Sequence, residues 1–73
     1  MIERQPASSL PLITDREVQV LQQSSLGLRT REIATALGIS TRTVQAHVRH
    51  ILVKLGARSR TQAVAHAIRS GWF

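Results

Sequence analysis

The sequence runs to 73 residues, enough for one small domain with little core to spare and no second one. It contains no cysteine, which excludes a disulfide frame or a thiolate zinc site and fits a reducing compartment, and its 3% aromatic content disfavours base stacking on aromatic platforms. Ten Lys+Arg against four Asp+Glu give a net charge of +6, and the balance is lopsided: residues 1–32 hold all four acids (Glu3, Asp15, Glu17, Glu32), whereas residues 33–73 hold six bases and no acid.

A folded segment with so much unpaired positive charge repels itself, and a polyanion such as nucleic acid relieves that repulsion. The plainer alternative is a solvated basic face that serves solubility. No apolar run approaches the roughly 20 residues that span a bilayer, and the start, MIERQPASS, has no hydrophobic signal region. The expected location is therefore cytoplasmic, with no membrane partner.

Residues 1–12 contain both prolines, Pro6 and Pro11, around Ala7, Ser8 and Ser9. That composition packs poorly and reads as a flexible linker, so the domain proper is expected over residues 13–73. TDRE at Thr14–Glu17 is a capping box that predicts a first helix: the Thr14 hydroxyl accepts from the Glu17 N–H, and the Glu17 carboxylate reaches back to the Thr14 N–H. Its inward stripe is Val18, Val20 and Leu21, followed by Ser24 and Ser25, whose hydroxyls need partners at inward positions. Gly27, between Leu26 and Leu28, is the expected stop.

Thr30 is the expected cap of a short second helix, Arg31–Leu37, in which Ile33, Ala34 and Leu37 share a face. Gly38, free to take positive φ, ends it. Ser40 then caps a longer third helix, Thr41–Leu55, closed by Gly56. At about 100° per residue, Val44, Val48, Ile51, Leu52 and Leu55 fall within one arc and form its core-facing side. Opposite lie Arg42, Ala46, Arg49 and Val53, with Gln45 on one flank and His50 on the other. SRTQ at Ser59–Gln62 predicts a fourth helix by the same capping logic, with Ala63, Val64, Ala67 and Ile68 apolar over a wide arc before SGWF. The expected fold is all-α: a four-helix domain with no strand.

Helix two, the glycine turn and helix three form a helix-turn-helix, with Ala34 small enough to let the two helices cross closely. The cationic, amide-bearing start of helix three then faces outward, sized for a DNA major groove, as a recognition helix. Lys54, Arg58 and Arg60 gather just before and at the start of the fourth helix, where the free amides add to their attraction for phosphate. Their alternative reading is a solvated loop.

LITDREVQVL, GLRTREIATALGIS and TVQAHVRHILVKLGARSRTQAV together resemble the LuxR-type helix-turn-helix effector domain of bacterial transcriptional regulators and response regulators, over residues 12–70. The resemblance implies double-stranded DNA as the partner, the third helix as reader, dimerisation through the fourth, and an upstream receiver or sensor domain. Carried over by position, it puts base contacts on Gln45, Ala46 and Arg49, and phosphate contacts on Thr30, Arg31, Thr43, Lys54 and Arg60; Arg42 and Arg58 join the phosphate group through their own charge and place. The family commonly has lysine where Gln45 stands, and glutamine differs from it in offering a bidentate pair to adenine N6 and N7. Arg49 has the fork geometry for guanine O6 and N7, although a phosphate contact is open to it as well. Gln23, Ser24 and Leu26 depart from the family's usual residues, which implies a first helix that packs less firmly.

Region four of sigma factors shares the DRE, REIA and LGIS pattern and is the nearest rival within the DNA-binding class; the tail HILVKLGARSRTQAVAHAI favours the LuxR type. From another class, Val64, Ala67, Ile68 and Trp72 can form an apolar patch for a partner or a second copy, against the alternative that Trp72 and Phe73 cover the domain's own core. The readings combine, because a second subunit doubles the phosphate contacts, and a weak homodimer through the fourth helix is expected. Activation of transcription would add RNA polymerase as a partner. His47 and His50 stand three apart but lack cysteine or carboxylate company, so no metal or cofactor is expected; His47, at the edge of the core arc, is expected to be packed and hydrogen-bonded. No Ser-His-Asp set, paired carboxylates or phosphate loop is present, and the chain is not expected to be an enzyme.

Overall fold

The computed structural model describes residues 13–73. The expected linker, residues 1–12, lies outside the described residues. Four helices follow in order, α1 (Asp15–Ser25), α2 (Thr30–Leu37), α3 (Thr41–Leu55) and α4 (Arg60–Arg69), and no strand occurs among the described residues.

Local chemistry fixes most of the boundaries. Thr14 and Glu17 form the capping box, with the Glu17 N–H donating to Thr14 Oγ1 at 3.1 Å and the Thr14 N–H donating to Glu17 Oε1 at 3.0 Å. Ser40 and Ser59 cap α3 and α4 by accepting from the backbone N–H groups of Thr43 and Gln62. Gly38 and Gly56 close α2 and α3 in the left-handed region, at φ 69° and 63°, where a side chain would strain the backbone.

The start of α2 corrects the sequence reading by one residue. Arg29 occupies the cap position and Thr30 is the first helical residue. The Glu32 carboxylate reaches back to accept from the Arg29 N–H at 2.7 Å, which leaves the Thr30 hydroxyl available for a different contact. At the end of α1, Leu26 rather than Gly27 is the cap residue, and Gly27 follows it at φ 85°.

Each helix contributes to one core: Val20 and Leu21 from α1, Ile33 and Ala34 from α2, Val44 and Ile51 from α3, Ala63 and Ala67 from α4. Val48, Leu52 and Leu55 pack partly buried around it, as the expected α3 arc requires. The alanines at α4 let it lie close to α1, so the first and last helices of the described chain meet across the core. On α1, Val18 and Ser24 are half-buried and Ser25 is exposed, its hydroxyl donating to the Gln22 carbonyl at 2.6 Å. Ser24 is less well served, since its Oγ is buried without a hydrogen-bond partner among the described residues.

One buried group was not foreseen. The Glu17 side chain, 3% exposed, accepts from Lys54 Nζ at 2.7 Å and so joins α1 to the last turn of α3. Residues 17, 20, 21 and 24 share one helical phase, so the carboxylate lies in line with the apolar stripe and needs a cation there.

Candidate nucleic-acid interface

The interface is built on the turn between α2 and α3. Gly38 ends α2 in the left-handed region, the Ile39 N–H donates to the Ala34 carbonyl at 3.0 Å, and Ile39 packs against the core. That anchored turn sets the direction of α3, whose 15 residues extend about 22 Å. Val44 and Ile51 face inward and are fully buried, so the opposite side of the same helix must face out.

Arg42, Gln45 and Arg49 are exposed on that outer side, with Ala46 half-buried between them and His50 exposed on the flank. Hydrogen bonds or ion pairs from the Arg42, Gln45 and Arg49 side chains to other described residues are absent. Val53, 82% exposed, continues the outer face toward the C-terminal end of α3. Among the described residues, Glu17 pairs with Lys54 and the Glu32 carboxylate accepts from the Arg29 N–H, and neither pairs with a side chain of this face. Three exposed donors of one helix thus have no hydrogen-bond partner among the described residues, the arrangement needed to meet base edges and phosphates.

Around the reading helix, the residues expected to grip phosphate divide into two groups. Arg31, Arg42, Thr43 and Arg58 are exposed, and Thr43 Oγ1 lies 2.9 Å from Ser40 Oγ at the start of α3. Lys54 and Arg60, by contrast, are engaged inside the domain. Lys54 Nζ is held by the buried Glu17 carboxylate at 2.7 Å, and its side chain is 27% exposed, so a long-range ion pair occupies one donor of an ammonium expected to be free near the end of α3. Arg60 Nη2 donates to Thr30 Oγ1 at 2.8 Å and Nη1 reaches the Leu28 carbonyl at 3.4 Å, tying the start of α4 to the start of α2.

The electrostatics of Glu17 follow from that setting. Burial pushes its carboxyl upward, but the Lys54 hydrogen bond, the Thr14 backbone N–H and the positive charges of Lys54 and His47 together outweigh it, and the group lies below the ordinary glutamate value. His47 is half-buried, as expected, but no hydrogen bond joins its ring to a described residue.

On α4, the expected dimerisation residues separate. Ala67 is fully buried in the domain's own core and cannot meet a second copy, Val64 is half-buried, and Ile68 is 55% exposed. Trp72 and Phe73 pack against the core, with the Trp72 N–H donating to the Ala67 carbonyl at 3.0 Å and its ring 5.5 Å from that of His66. They cover the domain's own end, the plainer of the two readings of SGWF. A cleft of about 320 Å³ beside α4, lined by residues including Gln62, His66 and Arg69, is shallow and gathers no catalytic set. Among the described residues no group of three or more His, Cys, Asp or Glu could hold a metal ion, and no helix is long and apolar enough to cross a membrane.

Comparison with known proteins points the same way. Residues 11–67 match the family model described as bacterial regulatory proteins, luxR family. The chain is 53% identical over 58 residues to the transcriptional regulatory protein YxjL of Bacillus subtilis, covering 80% of this chain and 27% of that protein. It is 46% identical over 63 residues to the transcriptional regulatory protein DegU of Brevibacillus brevis, covering 86% of this chain and again 27% of the relative. The fold superposes on the transcription factor GerE with a TM-score of 0.79 at 34% identity, covering 84% of this chain and 91% of that one. It also superposes on ChrA, a response regulator of a heme-sensing two-component system, with a TM-score of 0.81 at 36% identity, covering 86% of this chain and 31% of that one. The chain therefore spans only about a quarter of the curated relatives' length.

Proposed function

The chain belongs to the luxR family of bacterial regulatory proteins, as a helix-turn-helix DNA-binding domain, and from that premise we propose that it reads duplex DNA with the outer face of α3 laid in the major groove. Gln45 and Arg49 meet base edges, glutamine suited to adenine and arginine to guanine, while Ala46 allows close approach and can touch a thymine methyl. Arg31, Arg42, Thr43 and Arg58 hold phosphates on either side, with Thr30 donating from the first residue of α2. A second copy docks weakly through Val64 and Ile68 of α4, which sets a two-fold half-site spacing. The observation that carries this reading is the outer face of α3, basic and amide-bearing, whose Arg42, Gln45 and Arg49 side chains have no hydrogen-bond or ion-pair partner among the described residues.

The test is selection from a randomised duplex library, with fluorescence anisotropy on the enriched and an unrelated duplex across a salt series. An enriched two-fold motif and steep salt dependence support the reading. Shallow binding without enrichment refutes it and leaves the exposed Ile68 face as a protein-docking surface. Within the same assay, Arg49→Ala should weaken binding to the enriched duplex by about 1 to 3 kcal/mol and leave binding to the unrelated duplex nearly intact. Equal losses on both duplexes would remove the base contact and leave Arg49 on the backbone.

A further inference from the structure

We propose that Arg60 is a positioning residue for DNA binding: it acts through Thr30, orienting that hydroxyl toward a phosphate, and makes no direct phosphate contact of its own. The proposal rests on the DNA-binding reading above and assigns a different job to a residue whose charge alone suggested a phosphate ligand.

The geometry separates the two roles. Arg60 opens α4, and its half-buried guanidinium reaches back to the loop before α2, where Nη2 donates to Thr30 Oγ1 at 2.8 Å and Nη1 approaches the Leu28 carbonyl at 3.4 Å. Two edges of the planar fork are therefore directed into the domain, a fixed arrangement that lysine's single ammonium cannot reproduce. Thr30 is the first residue of α2 and not the cap, since Arg29 holds the cap position with an extended backbone (φ −79°, ψ 163°). Its hydroxyl has one proton to give and two lone pairs to offer. With a lone pair engaged by a cation, the free O–H is polarised into a stronger donor, and its direction is restricted to the side away from Arg60. Exposed Arg31 follows it in the chain, so an anion at the start of α2 meets the Thr30 proton and the Arg31 charge together.

The same tie joins α4, which carries the exposed Ile68, to the helix that meets the DNA backbone. Thr30 and Arg60 are 30 residues apart in sequence, and their part-buried hydrogen bond links the first residue of α4 directly to the first residue of α2. A change at the start of α4 therefore has a short route to the phosphate grip.

The experiment compares wild type, Arg60→Gln, Thr30→Val and the double variant on the duplex enriched by selection, across a salt series, at a temperature where far-ultraviolet circular dichroism shows each variant folded. Positioning predicts that each single variant binds about five- to tenfold more weakly, that the double variant is no more than about twofold worse than the weaker single, and that Arg60→Gln leaves the salt slope unchanged. A direct contact predicts a slope reduced by about 0.9 for the lost charge, and losses that multiply in the double variant; that pattern overturns the proposal. Full affinity in folded Arg60→Gln overturns it too, since the residue then serves packing alone. Wild-type protein without salt-dependent binding would overturn the DNA reading and this role with it, whereas wild-type binding with multiplied losses overturns the role alone.

Discussion

Replacing Lys54 with methionine keeps the length and apolar stem of the side chain and removes the charge that faces Glu17. The carboxylate is 3% exposed and retains, of its described partners, only the Thr14 N–H, so the variant must either hold a poorly compensated buried charge or take up a proton. Breaking a well-buried pair costs about 3 to 5 kcal/mol. Here the ammonium is 27% exposed, which admits water to one side of the pair and brings the expected loss down to about 2 kcal/mol. In a domain of this size that lowers the melting midpoint by roughly 8 to 16 °C. Thermal unfolding followed by circular dichroism measures it, with Glu17→Gln and the double variant completing a cycle in which the two losses overlap rather than add. The pH dependence has a definite sign. A carboxyl held below its ordinary value, 4.5, contributes stability that is present above that value and disappears as the pH falls through the folded-state value. Wild type should therefore lose stability on acidification from about pH 5 downward more steeply than Glu17→Gln does. An unchanged melting midpoint in Lys54→Met, together with a DNA-binding salt slope lower by about 0.9, would refute the reasoning and return Lys54 to the phosphate backbone.

Ser24→Ala removes a buried hydroxyl that has no partner and adds a better helix former, so it should raise stability by about 1 kcal/mol in chemical denaturation; a loss would reveal a partner for that oxygen. Gly38→Ala meets no atom within 4 Å at its new Cβ, so its cost comes from the left-handed backbone alone, about 1 to 2 kcal/mol by the same measurement. A larger penalty would mean that the turn shifts and carries α3 with it, which selection on the randomised duplex library would detect as an altered motif. Ile68→Glu should leave unfolding unchanged and, in sedimentation on a two-site duplex, abolish any cooperative second binding step; retained cooperativity would place the dimer contact elsewhere.

The sequence and the structure agree most closely where local chemistry is sufficient. Thr14, Ser40 and Ser59 announce helix starts through their own hydroxyls, and Gly38 and Gly56 announce stops through their backbone freedom, so α3 begins and ends, and α4 begins, where the residues indicate. The two faces of α3 follow from a period alone. Disagreement begins where a side chain has a choice of partners. Thr30 had the chemistry of a cap, but the helix starts one residue earlier with Arg29 at the cap, the Thr30 hydroxyl accepts from Arg60 instead, and nothing within a few residues of Thr30 reveals an arginine 30 positions away. Lys54 looked solvated because its partner lies 37 residues earlier. A signal for that pair did exist, in the phase that Glu17 shares with Val20, Leu21 and Ser24, since an acid in line with an apolar stripe requires a cation from the opposing helix. Ala67 failed as a dimer residue for a related reason. The apolar arc of α4 is wide enough to serve both the core and an outer surface, and hydropathy alone does not divide it.

The meeting of α1 and α4 has a consequence for synthesis. A nascent chain that has cleared the ribosome only through α3 lacks Ala63 and Ala67, so Val20 and Leu21 have no last helix to close on. Residues 14–55 already contain the whole helix-turn-helix, yet the part of the core that Ala63 and Ala67 complete stays open until α4 emerges. The rigid presentation of the arginine-bearing helix therefore draws on α4, which lies C-terminal to the whole helix-turn-helix.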